Sequence, residues 1–175
     1  MSRAVLSIGS NLGDRLARLR AVVAGFGRRV TAVSPVYRTA PWGGVEQDDF
    51  LNAVLLADDP AYEPADWLRH GAALEDAAGR VRAVHWGPRT LDVDVVWCGT
   101  EAGPVHSADP WLTLPHPRAH RRAFVLAPWL DVEPGAVLTA EGATRPVRDW
   151  LAELDHAERE GVHRTADDLG TAGSR

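Results

Sequence analysis

Residues 85–96, HWGPRTLDVDVV, join an arginine-bearing turn directly to a stretch that carries two aspartates. Side chains alternate between the two faces of a strand, so a strand here puts Asp92 and Asp94 on one face, together with Val96. The opposite face then carries the apolar side chains Leu91, Val93, Val95 and Trp97. The stretch therefore predicts a strand with one buried face and two carboxylates on the other.

The spacing of these carboxylates suits phosphate chemistry. Two residues of strand separate them by roughly 7 Å, which lets both bind one Mg²⁺ or flank two ions about 4 Å apart. Arg89 adds a planar, permanently charged group that matches phosphate oxygens. The alternative is an ordinary amphipathic strand with a wet acidic face. The unusual turn Trp-Gly-Pro-Arg beside the acidic strand favours the phosphate-binding interpretation.

Composition predicts an ordinary globular protein. The chain has 175 residues, 45% hydrophobic and 25% charged residues, and a net charge of −5, so we expect binding to neither nucleic acid nor an anionic membrane. Lysine is absent, so any phosphate site must be built from arginine, histidine, backbone amides and metal. We expect one domain over residues 1–158 and a polar, flexible tail over residues 159–175.

The sequence predicts neither export nor membrane insertion. The apolar stretch before Gly9 is too short for a signal peptide. No apolar run approaches the ~20 residues needed to span a bilayer. We therefore expect a cytoplasmic protein, in which the single Cys98 is a small buried residue.

The order of predicted elements is β-α-β-β-α-β. Residues 3–8 read as a buried strand and residues 12–26 as a helix capped by Ser10 or Asn11. A strand over residues 29–38 is interrupted at Pro35. Further elements are a strand from residue 50, a helix over residues 64–77, the aspartate strand, and short helices over residues 118–130 and 146–153. This order is typical of an α+β, ferredoxin-like sandwich with a mainly antiparallel sheet, although the pattern alone leaves other α+β folds open.

Four segments stand in the order of one known family. They read IGSNLG at residues 8–13, YRTAP at 37–41 with FLNA at 50–53, RVR and WGPRTLDVD within 80–94, and PHPR and RAFVL within 115–126. Together they resemble the 6-hydroxymethyl-7,8-dihydropterin pyrophosphokinases of folate biosynthesis over roughly residues 3 to 150. The resemblance implies the ferredoxin-like fold with extra C-terminal elements.

It also implies an activity. Such enzymes transfer pyrophosphate from ATP, the co-substrate, to the hydroxymethyl group of a reduced pterin and release AMP, with Mg²⁺ as the cofactor. We therefore expect a magnesium-dependent monomer with two bound ions. Its ligands are ATP and a reduced pterin.

Individual positions match the functional residues of that family. The expected catalytic residues are Arg80, Arg89, Asp92 and Asp94, of which the two aspartates also bind metal. The expected ATP-binding residues are Glu75, Arg82, His116, His120 and Arg122. The expected pterin-binding residues are Thr39, Ala40, Trp42, Phe50, Asn52, Trp86 and Phe124.

Plainer interpretations stand beside several of these matches. Glu75 suits a surface helix position, and the two phenylalanines suit an ordinary core. An arginine-rich loop is commonly only solvated; here we expect it to close over bound substrates. His85 and Ala72 stand where relatives carry arginine and a polar residue, so those two contacts are not carried over.

Two rival functions share parts of this pattern. A two-metal nucleotidyltransferase or cyclase also places paired aspartates on such a sheet, but a ring-sized slot and an acidic chain argue against a polynucleotide substrate. A non-catalytic small-molecule sensor has no need of two aspartates and Arg89 together. AMP production that depends on the pterin separates all three.

Overall fold

The computed structural model describes residues 1–40, 48–79 and 91–170. Its strands are Ser2–Ser10 (β1), Val30–Val33 (β2), Tyr37–Thr39 (β3), Phe50–Asp59 (β4), Asp92–Thr100 (β5), Gly103–Pro104 (β6), Ser107–Asp109 (β7), Leu112–Leu114 (β8), Val137–Ala140 (β9), Ala143–Pro146 (β10) and Val162–Arg164 (β11). Its α-helices are Arg15–Phe26 (α1), Pro64–Ala77 (α2), Ala123–Val132 (α3), Val147–Glu153 (α4) and His156–Glu160 (α5). Short 3₁₀ turns cover Gly27–Arg29 and Ala119–Arg121.

One antiparallel sheet forms the centre of the molecule. Its strands follow the order β11-β3-β4-β1-β5-β6, and β2 also pairs with β4. The predicted ferredoxin-like α+β class is confirmed. Because β1 lies between β4 and β5, Gly9 is opposite Asn52 on one side and opposite Asp92 on the other.

Each face of the sheet carries its own apolar core. Helices α1 and α2 cover one face, where Phe26 and Trp67 are completely buried. Helices α3 and α4 cover the other face, with Trp129 and Trp150 at its centre. The two predicted aspartates belong to this second face, at the end where the helices leave it open.

The prediction that Trp97 shares a face with Val93 and Val95 is wrong. The pairing of β1 with β5 shifts by one residue between Val5 and Leu6, and such a bulge turns every later side chain to the opposite face. Trp97 consequently packs in the core of α3 and α4, while Cys98 is buried in the core of α1 and α2.

The start of α1 also differs from the sequence-based prediction. Strand β1 continues to Ser10, so the backbone there is too extended to begin a helix. Asp14 is the capping residue instead, and its carboxylate accepts a hydrogen bond from the Ala17 N–H at 3.0 Å. Leu12, predicted to lie on the apolar face of the helix, precedes it and is about half exposed.

The middle of the chain agrees more closely with the prediction. Helix α2 has the predicted bounds, and the broken strand over residues 29–38 is present as β2 and β3, on either side of Pro35. Both of these strands pair with β4.

The expected tail after residue 158 contains an additional strand. Strand β11 pairs with β3 at the edge of the sheet, and Leu169 is buried against the core of α1 and α2. The amphipathic signal of a three-residue strand is too short to stand out in a polar sequence. The division into one domain over residues 1–158 and a flexible tail stays a prediction.

Among the helices of the described ranges, none combines the length and the apolar character that crossing a membrane requires.

Candidate active site

Strand β5 presents the two aspartates side by side on the open end of the sheet. Asp92 and Asp94 are partly exposed, whereas Val93 and Val95 between and after them are buried on the opposite face. This alternation was predicted from the sequence. It puts two carboxylates on one solvent-accessible face of a strand whose other face is buried.

Cationic and polar groups from the segment before α3 face Asp94. The Arg122 guanidinium donates to Asp94 Oδ2 at 3.4 Å, and His116 Nε2 lies 3.9 Å from the same oxygen. The His116 backbone N–H donates to the Val96 carbonyl at 2.8 Å, which fixes the histidine beside β5. The predicted residues Asp94, His116 and Arg122 therefore meet at one place.

His116 is a neutral donor at this place. Its Nδ1 accepts the Arg118 backbone N–H at 3.1 Å, so in the neutral ring the proton is on Nε2, which faces Asp94. Burial, and after it the nearby Arg122, lower the pKa of His116 to about 4, although Asp92 acts in the opposite direction. At neutral pH the contact with Asp94 is consequently a polar one, not an ion pair.

The carboxylates fit a magnesium site completed by a substrate. Within residues 1–40, 48–79 and 91–170, no cluster of three or more histidine, cysteine or acidic side chains could hold a metal ion. Magnesium commonly takes one or two protein carboxylates, with phosphate oxygens and water as its other ligands. Asp92 and Asp94, on one exposed face, are residues of this kind.

Helix α2 anchors β5 from behind the aspartates. Glu75 is 4% exposed, and its Oε1 accepts the Val93 backbone N–H at 2.8 Å. One turn earlier, a Cβ atom on Gly71 would lie 2.8 Å from Val93 Cγ1, so glycine allows the close approach of helix and strand. The surface position considered for Glu75 is therefore wrong, and its expected contact with ATP stays a prediction.

The sequence alone did not reveal this anchoring role. A signal was available in the spacing of Gly71 and Glu75, because one turn of helix puts them on the same side.

A second polar pair occupies the sheet on the other side of β1. Asn52 is buried, and its Nδ2 donates to Thr39 Oγ1 at 2.9 Å. A Cβ atom on Gly9 would lie 2.7 Å from Asn52 Oδ1. The missing side chain at Gly9 therefore lets the Asn52 amide lie over β1, towards the strand that carries Asp92.

Three further predicted ring-binding residues, Phe50, Phe124 and Ala40, lie in the described part of the chain. Phe50 begins β4 on the same face as Asn52 and is opposite Thr39 on β3. Phe124 is partly exposed in the first turn of α3, and the Arg122 guanidinium lies 5.5 Å from its ring centroid. Ala40 is exposed just after β3. Arg122 thus contacts both Asp94 and an aromatic ring.

His120 is another predicted site residue that faces away from Asp94. Its Nε2 is close to Arg121 Nε and to Glu141, both at 3.1 Å, and its ring packs edge-on against Trp150 at 5.4 Å. These contacts face the β9–β10 turn and α4, not Asp94. The predicted residues Trp42, Arg80, Arg82, Trp86 and Arg89 lie outside the described residues.

Three comparisons with known proteins bear on this site. Residues 5–134 match the family model described as 7,8-dihydro-6-hydroxymethylpterin-pyrophosphokinase (HPPK). The 2-amino-4-hydroxy-6-hydroxymethyldihydropteridine pyrophosphokinase of Mycobacterium tuberculosis is 58% identical over 167 residues, which cover 93% of this chain and 89% of the relative. The protein of the same name from Methylorubrum extorquens is 43% identical, with 93% of this chain and 99% of the relative covered.

A solved structure supports the fold. The structure titled "Crystal Structure Analysis of the HPPK-DHPS in complex with substrates" aligns with a TM-score of 0.66 at 11% identity. The alignment covers 93% of this chain and 46% of that one, so this chain spans about half its length.

Proposed function

Because the chain belongs to the 7,8-dihydro-6-hydroxymethylpterin-pyrophosphokinase family, we propose that it transfers pyrophosphate from ATP to 6-hydroxymethyl-7,8-dihydropterin with the help of Mg²⁺. It is an ATP-dependent diphosphokinase of folate biosynthesis. The hydroxymethyl oxygen of the pterin attacks the β-phosphorus, the bond from that phosphorus to the α,β-bridging oxygen breaks, and AMP leaves. The hydroxyl proton passes to solvent or to a nearby carboxylate.

One observation carries the proposal: the carboxylates of Asp92 and Asp94 share one face of the sheet with the hydrogen-bonded side chains of Asn52 and Thr39, on either side of Gly9. Strands β4 and β5 are two interstrand spacings apart, about 10 Å. A metal–triphosphate on the aspartates and a flat ring on Asn52 would therefore meet over β1. Neither rival function, a nucleotidyltransferase or a sensor, requires this combination.

The protein groups beside Asp94 suit the charges of the reaction. Arg122 and His116 Nε2–H both point to the Asp94 carboxylate, so they lie where phosphate oxygens would arrive. Permanent guanidinium charge and a fixed neutral donor stabilise the negative charge that develops on those oxygens. Bound Mg²⁺, for which we expect two ions, would supply further charge neutralisation between the carboxylates and the triphosphate.

The ring side suits a pterin. Asn52 Oδ1 accepts and Nδ2 donates, which matches the edge of an aminopyrimidinone ring. Thr39 Oγ1 accepts one amide hydrogen and so fixes which way the amide faces. Phe50 and Phe124 offer aromatic faces for stacking, worth about 1 kcal/mol per ring pair beyond burial.

The direct test is product analysis with purified protein, ATP and 6-hydroxymethyl-7,8-dihydropterin. We expect AMP and a pterin diphosphate in equal amounts, and no AMP when the pterin is omitted or Mg²⁺ is chelated. ADP in place of AMP would indicate transfer of a single phosphate. AMP formed without the pterin would indicate hydrolysis, and either result contradicts the proposal.

We further propose that the enzyme works as a cytoplasmic monomer. Light scattering during size-exclusion chromatography measures the mass directly. A mass near 19.0 kDa is the expected result, and twice that value contradicts it.

A further inference from the structure

The segment after α4 reaches back to the ring side of the site. We call residues 155–165, with α5 and β11, the C-terminal segment. Glu158 on α5 accepts a hydrogen bond from the Ala123 backbone N–H at 3.1 Å, through Oε1. Ala123 is completely buried and is the first residue of α3, between Arg122 and Phe124.

Helix α3 needs an acceptor at this position. Its capping residue is Arg122, whose side chain makes no capping hydrogen bond. The first N–H groups of a helix have no partner within the helix, although Val125 and Leu126 donate to the Arg122 carbonyl. Glu158 satisfies the buried Ala123 N–H and adds a negative charge at the positive end of the helix.

Glu158 is itself held in place. The Asp155 carboxylate caps α5 by accepting the Glu158 backbone N–H at 2.8 Å. The Gly161 N–H closes the helix on the Ala157 carbonyl at 2.9 Å. The carboxylate is therefore presented to α3 from an ordered turn of helix.

The same segment also binds β3 and the far end of α3. Val162 on β11 is opposite Thr39, the hydrogen-bond partner of Asn52. Thr165 donates both its N–H and its hydroxyl to the Val36 carbonyl, each at 2.9 Å. Arg164 lies 3.6 Å from Asp131 near the end of α3. The segment thus joins the strand of Thr39 to the helix of Phe124.

From these contacts we propose that Glu158 is a positioning residue for pterin binding. Its carboxylate fixes the backbone at Ala123 and so sets the place of the Phe124 ring relative to Asn52. Arg122 is less dependent on Glu158, because its guanidinium is also held by Asp94. The inference rests on the proposed function, since it assumes that a pterin binds between Asn52 and Phe124.

Four variants of the full chain test the role of Glu158. Glu158→Ala removes the acceptor, Glu158→Gln keeps an acceptor oxygen without the charge, and Glu158→Asp withdraws the carboxylate by one methylene group. Glu160→Ala is the matched control, because Glu160 is an exposed glutamate on the same helix. Each variant is measured for thermal stability, for kcat and for KM of both substrates. Calorimetry gives Kd for the pterin and for a non-hydrolysable ATP analogue.

We expect Glu158→Ala and Glu158→Asp to raise KM and Kd for the pterin about fivefold to tenfold, the effect of losing one helix cap. The Kd for the ATP analogue should change less than about twofold. Glu158→Gln and Glu160→Ala should bind the pterin as the parent protein does, because the first keeps the hydrogen bond and the second never made it.

Three results would overturn the inference. A Glu158→Ala protein with a lower melting temperature but unchanged pterin affinity would make Glu158 a purely structural cap. Equal losses for pterin and ATP analogue would contradict a role on the ring side. A Glu158→Gln protein as weak as Glu158→Ala would contradict the hydrogen-bond account. Pterin calorimetry needs no turnover, so a parent that binds pterin without forming AMP would contradict the proposed function alone.

Discussion

The two halves of the candidate site are supported in different ways. The aspartate side, Asp92 and Asp94, stands on the nine-residue strand β5, which pairs with β1 and is anchored from behind by Glu75. On the ring side, Asn52 and Phe50 stand on the ten-residue strand β4, but Thr39 lies on the three-residue strand β3, whose other edge pairs only with the three-residue strand β11. Its polar groups are joined by single side-chain hydrogen bonds, such as that from Asn52 to Thr39.

This difference has a functional consequence. Charged groups that bind metal and phosphate must be held without reorganisation, because preorganised charges contribute most to catalysis. A ring slot can tolerate more movement, because the burial of apolar surface is non-directional. We therefore expect changes on the aspartate side to lower the rate of chemistry, and changes on the ring side to lower affinity for the pterin.

The largest effect is expected from Asp94→Asn. The amide keeps the shape of the side chain but removes the charge that faces Arg122, His116 and the expected metal ion. We expect kcat to fall about a thousandfold or more, on the order of 4 kcal/mol. The melting temperature should change little, because the side chain lies on a partly exposed face.

Single-turnover kinetics at saturating ATP measures this effect. Asp76→Asn is the matched control, since Asp76 is an exposed acid on α2. If the Asp94→Asn protein turned over at the parent rate, the assignment of Asp94 to the metal site would be wrong, and the expected difference between the two sides would be lost.

A smaller effect, on affinity instead of rate, is expected from Asn52→Ala. The substitution leaves donors and acceptors of a buried ring without partners, which costs about 1–3 kcal/mol. Calorimetry should show weaker pterin binding and nearly unchanged binding of the ATP analogue. Thr39→Val, which removes only the partner of the Asn52 amide, should show the same preference with a smaller loss. Equal losses for both ligands would indicate that Asn52 supports the sheet and not the ring.

The third effect tests the anchor behind the aspartates. Glu75→Ala leaves the buried Val93 N–H without its acceptor, so we expect unfolding to become easier by about 1–3 kcal/mol. We also expect kcat to fall about tenfold, because small displacements of catalytic groups are costly. Glu75→Gln keeps an acceptor and should recover most of both losses, and Asp76→Ala is the exposed control on the same helix.

A result that separates these readouts would change the interpretation of Glu75. If Glu75→Ala unfolded more easily but turned over at the parent rate, the anchor would be structural only. If Glu75→Gln bound ATP weakly while it was as stable as the parent, Glu75 would contact the nucleotide, as the family resemblance implies.

The sequence predicted the aspartate side well for a physical reason. Alternation along a strand is a local property, so the shared face of Asp92 and Asp94 followed from their spacing alone. The bounds of α2 followed in the same way from helical spacing and from Pro64 at its start. Local patterns of this kind need no knowledge of distant residues.

The sequence could not predict contacts that depend on distant parts of the chain. The bulge that redirects Trp97 results from the pairing of β5 with β1. Glu158 reaches Ala123 across 35 residues, and β11 joins a strand more than 120 residues earlier. His120 matched a family position, yet it contacts Glu141 in the β9–β10 turn and Trp150 on α4.

The smallest expected effect is on the reactivity of Cys98, which reports how firmly β5 is held. Cys98 is completely buried in this strand beside Ala4, and burial raises the pKa of its thiol to about 12. At pH 8 only roughly one such thiol in 10,000 is ionised, and the thiolate is the form that reacts. A disulfide reagent such as dithionitrobenzoate should therefore leave the folded protein unmodified over hours and react at once after unfolding in guanidinium.

The Glu75→Ala protein should react faster than the parent, because β5 has lost its anchor, whereas Asn52→Ala on the ring side should react as slowly as the parent. Rapid labelling of the parent protein would show that β5 opens readily, and the aspartate side would then be no more rigid than the ring side.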